Sequence, residues 1–339
     1  LTRSLEFTTL PVREISDMNK RSAMLGVVLL VGACGGKTAE TPPSQFIAGF
    51  SPAAVQPGYT RYVLPQIHGI QPGEDDTWCQ YISPAATETQ DVISVTGQQT
   101  KAGHHIALYA TNAPKAVGTS RKCLTGDQLS LAFIGGVGGE GIGAVFQKLP
   151  PNVTFRLPKG WGLMANTHFV NTTAEVIDGQ GVVDVKYAPP STDRQVLNLF
   201  TNVNTQFTIP ASAQYSADAT CTVQADMQVV LFFNHMHERG TSIMSEIEHA
   251  DGTKMLIRQD APWQREFTFN PDMTQFALSG DGSLTIHKGD TLHTHCEWQN
   301  TDSTAVTFPL EMCVGGAIVL GDHEVDCVDT QWDANAGSR

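Results

Sequence analysis

Short runs dominated by β-branched, aromatic and other apolar residues recur along the chain, separated by segments rich in turn formers. Examples are Val92-Ile93-Ser94-Val95-Thr96, Val182 to Tyr187, Met227 to Phe233 and Ser283-Leu284-Thr285-Ile286. Such residues fit a pleated, half-buried surface, and the intervening turn formers close the runs into strands. Long amphipathic helices are not evident. The pattern predicts an all-β protein of two antiparallel β-sandwich, jelly-roll-like domains in tandem.

Ala188-Pro189-Pro190-Ser191-Thr192-Asp193 is the best linker, because proline cannot continue a hydrogen-bonded ladder and the polar residues after it need no core. It separates a first domain at 59–188 from a second at 189–330, with a tail at 331–339. Residues 35–58 read as a flexible tether, since Gly, Thr, Pro, Ser and Ala bury too little apolar surface to order themselves. A chain of 339 residues has room for two cores of ordinary size.

Ahead of the tether, Met18-Asn19-Lys20-Arg21, the apolar run Ala23 to Val31, and Leu30-Val31-Gly32-Ala33-Cys34 follow the order of an export signal. The last box resembles a bacterial lipoprotein signal, which implies that Cys34 is acylated and becomes the lipid anchor. The apolar run is shorter than the roughly 20 residues a membrane-spanning helix needs. Residues 1–34 are therefore expected to be processing sequence, with 1–17 lying upstream of a plausible initiator Met18. The mature chain is expected to be an exported cell-envelope lipoprotein, on the periplasmic side or the cell surface, touching the membrane through its anchor only.

Charge narrows the partners. Charged residues are 16 % of the chain, the net charge is -13, and no basic stripe locally reverses it. Such a surface repels phosphate backbones, so nucleic acid is not an expected partner. Setting Cys34 aside from the seven cysteines leaves six, and in an oxidising compartment six cysteines point to disulfides rather than thiolate ligands. Local order suggests Cys79 with Cys123 and Cys296 with Cys313, leaving Cys221 for Cys327.

Gly136-Val137-Gly138-Gly139-Glu140-Gly141 formally matches the G-x-G-x-x-G dinucleotide pattern. No helix-like segment follows it, and an acidic residue sits inside the would-be phosphate loop. It reads instead as a flexible glycine loop between strands, one that can still border the active site.

The chemistry is carried by histidines. Gly103-His104-His105-Ile106 places two adjacent imidazoles at the head of an apolar strand. Neighbours on a regular strand face opposite ways, so both can reach one ion only at a strand end or a bulge. Asn166-Thr167-His168 supplies a third imidazole, with Asn166 on the same face. Asn234-His235-Met236-His237 differs, because residues two apart on a strand share a face and can chelate directly, and Phe233 should share it too. Glu311-Met312-Cys313 adds a thioether, a soft ligand that favours Cu(I), while alternation turns Cys313 the other way.

In this order the residues resemble the copper type II, ascorbate-dependent monooxygenases, the family of peptidylglycine and dopamine hydroxylating enzymes: His-His, His, His-x-His, then Met within Glu-Met-Cys. The likeness runs from Gly73-Glu74-Asp75-Asp76-Thr77-Trp78-Cys79 through Leu157-Pro158-Lys159-Gly160 to Gly289-Asp290 and Cys296. It implies that His104, His105 and His168 hold an electron-storing copper, and that His235, His237 and Met312 hold the copper that meets dioxygen. The six cysteines follow the family's pattern as well. It further implies that ascorbate or another one-electron donor is the co-substrate and that one oxygen atom enters a C–H bond of a small molecule. His68, His249, His287, His293, His295 and His323 have no family role and read as surface or structural.

The chain departs from the peptide-processing members where those grip a carboxylate. Phe233 stands where they carry an arginine, and Val314 and Gly316 stand where they carry asparagine and tyrosine. Asn166 replaces a glutamine, and Arg239 is in the wrong register to substitute for the lost cation. The resemblance thus implies a substrate pocket for an uncharged, more apolar molecule. The rival is a non-catalytic copper-binding or storage lipoprotein using the same ligands. A zinc hydrolase has neither an H-E-x-x-H motif nor a use for Met312, and an adhesive sandwich would need no ligands in this order.

Overall fold

The computed structural model describes residues 45–124, 131–139, 141–143, 150, 152–268, 271–321 and 324–334. The signal, Cys34, residues 35–44 of the tether and His323 lie outside the described residues. Strands appear where the apolar runs place them: Gln90–Gln99, Gly181–Ala188, Met227–His235 and Leu284–Ile286. Among the described residues no helix is long and apolar enough to cross a membrane.

The first half is a sandwich. One sheet runs Ser120–Lys122, Asp75–Tyr81, Gly162–Val170, Gly103–Thr111, Ala132–Gly138. It faces the strands Tyr59–Val63, Gly181–Ala188, Gln90–Gln99 and Val153–Leu157. Ile106, Leu108, Leu163 and Ala165 from the first sheet meet Val92, Phe155, Val183 and Val185 from the second in one buried cluster. The side chains on the outer face of the first sheet carry the site.

The second half repeats the plan. Gln214–Thr222, Thr291–Gln299, Gly240–Glu248 and Lys254–Asp260 form one sheet, which packs on Gln195–Asn204, Cys313–Leu320 and Met227–His235. Two clusters fill the space between, one around Phe200, Phe232 and Ile247, the other around Trp298, Met236 and Ile243. The three disulfides are Cys79–Cys123, Cys221–Cys327 and Cys296–Cys313, as local order along the chain suggests.

The halves are not joined by a loose connection. A parallel contact of Gln195 with Val153 and Val196 with Thr154 makes one sheet run through both. Beside it the buried Asp91 carboxylate binds the guanidinium groups of Arg156 and Arg194 at 2.9 and 2.8 Å and accepts from Ser191 N. The polar residues of the expected linker are thereby held, because a buried carboxylate needs partners.

Two expectations change. Residues 45–50, read as tether, are tied down: Ile47 N donates to Gln180 Oε1, Gln180 Nε2 donates to Gln45 O, and Phe50 is buried. The apolar Phe46, Ile47 and Phe50 outweigh their small polar neighbours there. The glycine run is likewise no loop as far as residue 138, since Ala132–Gly138 is a strand paired with Gly103–Thr111, and Gly138 lies opposite His105. Glycine serves close approach here: a Cβ on Gly135 would sit 2.8 Å from Val95 Cγ2.

Candidate metal centre

The His-His pair needs an irregularity, and the ladder supplies one. Between Gly103–Thr111 and Gly162–Val170, His168 pairs with His105 while Phe169 pairs with Gly103, so His104 is the extra residue of a β-bulge. The bulge leaves its own backbone groups satisfied: Gln99 Nε2 donates to the His168 carbonyl at 3.0 Å, and Gly139 N donates to the His104 carbonyl at 2.6 Å. His104 is thereby turned to the same point as His105 and His168, and each ring can offer a nitrogen such that all three lie within 4.8 Å of one another. Ring centroids are 4.8 Å apart for His104 and His168, and 4.9 Å for His105 and His168.

Burial, reinforced by the His168 ring, pushes the His104 pKa down to about 2. Burial likewise holds His105 well below the usual histidine range. Both rings are neutral at any physiological pH, the form that binds metals. The buried Nδ1 of His105 has no hydrogen-bond partner among the described residues. A buried nitrogen lone pair left without a proton donor is costly. Three imidazoles that converge around it form a donor set that copper fits.

The His-x-His segment behaves as alternation requires. Phe233, His235 and His237 share a half-exposed face, while Asn234 and Met236 are buried beneath. The hidden face is fixed: Asn234 donates to Asp260 Oδ2 at 2.8 Å and accepts from Ser245 Oγ at 2.7 Å. The His235 and His237 rings lie 5.1 Å apart. Burial lowers the His235 pKa to about 3 and lowers that of His237.

The strand Cys313–Leu320 pairs antiparallel with Met227–His235, Val314 opposite His235. His237 and Met312 lie just past the ends of these two paired strands, two residues beyond that pair. Cys313 faces the core and its disulfide. Glu311 ties the segments together. Its fully buried carboxylate accepts from His237 N at 3.1 Å, Arg239 N at 2.7 Å and Trp298 Nε1 at 3.0 Å. His237 Nδ1 lies 3.1 Å from the Leu310 carbonyl, which can only accept. Nδ1 therefore carries the proton and Nε2 the lone pair.

The two clusters are electrostatically coupled. A proton on His237 would lower the pKa of His104 and His105, and one on His168 would lower that of His235 and His237. The Phe233 ring lies across Gly316, where a Cβ would stand 2.3 Å from its Cζ. Val314 is buried. Asn166 is buried too, and its amide donates to Cys123 Sγ at 3.3 Å rather than standing open. Arg239 is committed to Asp302 and Glu311.

His68, His249 and His287 each pair with a carboxylate, of Asp178, Asp290 and Asp226. His293 and His295 share Asp218. Two residues that matter to the site escaped the sequence as individuals, Asp75 and Glu311. Each stands inside a motif quoted for the resemblance, but only the folded chain brings its carboxylate to a histidine segment.

Residues 192–315 match the family model described as copper type II ascorbate-dependent monooxygenase, C-terminal domain, which supports membership of that copper- and ascorbate-dependent family. No curated protein matches the chain in sequence. Among solved structures, the major capsid protein P2 of bacteriophage PM2 is 10 % identical with a TM-score of 0.36, over 78 % of this chain and 98 % of that one. PNGase F, a glycosylasparaginase from Flavobacterium meningosepticum, is 8 % identical with a TM-score of 0.30, over 78 % and 97 %. Likenesses this slight carry no argument about fold or function.

Proposed function

We propose that this chain is an exported, lipid-anchored copper monooxygenase that holds two coppers and hydroxylates a small, uncharged or apolar molecule with dioxygen and a one-electron reductant such as ascorbate. The observation that carries the reading is the β-bulge at His104, which turns two adjacent imidazoles and His168 to one point in a half of the chain outside the family match. His104, His105 and His168 would hold one ion. His235, His237 and Met312 would hold the other. Bound there, copper supplies electron storage at the first position and dioxygen chemistry at the second, where the thioether favours the reduced ion.

The chain's own residues do the rest. Burial keeps the His104, His105, His235 and His237 rings neutral, so at these four no proton has to leave before a ligand nitrogen can bind. The Leu310 carbonyl fixes the His237 tautomer, and Glu311 holds the His-x-His segment against the segment that carries Met312. Phe233, laid across Gly316 beside the histidines, presents an aromatic wall where a peptide carboxylate would need a cation. Arg239 cannot supply that cation while Asp302 and Glu311 hold it. Cys34 would anchor the exported protein, with no other membrane contact and no role for nucleic acid.

The test is metal content after copper loading, paired with ascorbate-dependent oxygen uptake. Two coppers per chain, and uptake coupled to hydroxylation of small aromatic or aliphatic compounds, are expected. Two coppers without oxygen consumption would favour a storage protein. Efficient turnover of a glycine-extended peptide with the small compounds inert would overturn the pocket assignment.

A further inference from the structure

Asp75 begins the strand Asp75–Tyr81, opposite Val170, and its Oδ1 lies 2.5 Å from His168 Nε2. Its neighbours are engaged elsewhere: the carboxylates of Glu74 and Asp76 both bind Lys122 Nζ at 2.6 Å. Alternation along the strand separates these two acids from Asp75, so one carboxylate alone is presented to the histidine. The Asp75 side chain is 58 % exposed, that of His168 only 12 %. The carboxylate thus reaches from the solvent edge of the site to a ring otherwise enclosed by protein.

Aspartate is a carboxylate at neutral pH. An ionised carboxylate only accepts, so His168 Nε2 must donate. In a neutral imidazole that leaves the lone pair on Nδ1, which is buried. At His237 the Leu310 carbonyl makes the opposite choice, a proton on Nδ1 and the lone pair on Nε2.

We propose that Asp75 is a positioning residue for the first metal position, fixing the tautomer and orientation of His168 so that its Nδ1 joins His104 and His105 as a ligand. The proposal rests on the reading that these three histidines hold copper. A carboxylate bound to the far nitrogen of a metal-ligating histidine fixes the ring and raises its basicity, and its removal typically lowers metal affinity 10–100-fold. Its negative charge also favours Cu(II) over Cu(I) at that position.

The experiment uses the full exported chain and its Asp75→Ala, Asp75→Asn and His168→Ala variants. Cu(II) and Cu(I) affinities are measured by chelator competition, the Cu(II) spectrum by electron paramagnetic resonance, and the reduction potential by titration. Asp75→Ala should bind Cu(II) 10–100-fold more weakly at the first position, with a changed spectrum, and leave the second unchanged. Asp75→Asn should lose less affinity but still raise the potential, by about 59 mV for each tenfold by which Cu(II) binding falls more than Cu(I) binding. Urea midpoints within error of the parent show that the fold is intact. Parental affinity, spectrum and potential in both Asp75 variants would overturn the positioning role, provided His168→Ala removes one copper. If His168→Ala leaves the copper count unchanged, the underlying ligand assignment fails, and the proposal with it.

Discussion

Replacing Glu311 by alanine tests the idea that one buried carboxylate assembles the second position. The polar partners of that carboxylate among the described residues are donors: His237 N and Trp298 Nε1 meet Oε2, Arg239 N meets Oε1, and the Arg239 guanidinium lies 3.6 Å away. Burial pushes the Glu311 pKa up, while the donors and Arg239 pull it back. The ionised form is therefore the one that fits the surrounding donors. Alanine leaves three N–H groups without their acceptor at a fully buried position. Each unsatisfied group costs about 1–3 kcal/mol, and breaking a buried charge network costs about 3–5 kcal/mol in all. At roughly 2 °C per kcal/mol for a chain of this size, the melting midpoint should fall by about 6–10 °C. Glu311→Gln keeps one acceptor oxygen and turns an amide toward Arg239, so its loss should be about half as large. The assay is thermal unfolding of the metal-free protein, followed by Cu(I) competition on the folded variants. Cu(I) binding should weaken at the His235–His237–Met312 position and persist at the His104–His105–His168 position. A midpoint within 1 °C of the parent (roughly 0.5 kcal/mol by the same conversion) with unchanged Cu(I) binding would refute the reasoning.

Met312→Ala should spare the first copper, weaken Cu(I) at the second and abolish turnover, checked by copper stoichiometry under reducing conditions. Gly316→Ala places a Cβ 2.3–2.8 Å from three carbons of the Phe233 ring. The ring must leave its seat, at a cost of about 1–3 kcal/mol, and a changed substrate range with a lowered urea midpoint should follow. The pH dependence has a definite sign. His104 and His235 have folded pKa values depressed to about 2 and about 3, below the roughly 6.5 of an unfolded histidine. The unfolded chain therefore takes up protons first on acidification. Metal-free stability should be complete above about pH 6.5 and fall below it by roughly 1.4 kcal/mol per histidine per pH unit. Urea midpoints that stay flat from pH 8 to pH 5 would count against buried, neutral rings.

The alternation of Met227 to His237 is by itself enough to set Phe233, His235 and His237 on one face and Asn234 and Met236 on the other. A strand has period two whatever packs against it. The pairing suggested by local order of the cysteines, Cys79–Cys123 and Cys296–Cys313 with Cys221 left for Cys327, likewise held. His104 and His105 were different. Alternation sets them apart, and only pairing with Gly162–Val170 decides that the extra residue of the bulge is His104. Asp75 and Glu311 belong to the same class. Their contacts, to a histidine 93 residues away and to backbone 74 and 72 residues away, are products of which strands become neighbours. The glycine run carried no strand signal because glycine has no side chain to alternate. As far as residue 138 it became a strand because it pairs with the His-His strand, next to Gly135, whose missing side chain lets Val95 approach closely. Local sequence determined which candidate ligands share a face. The tertiary structure decided which of them meet, since a ligand set drawn from several strands exists only once their registers are fixed.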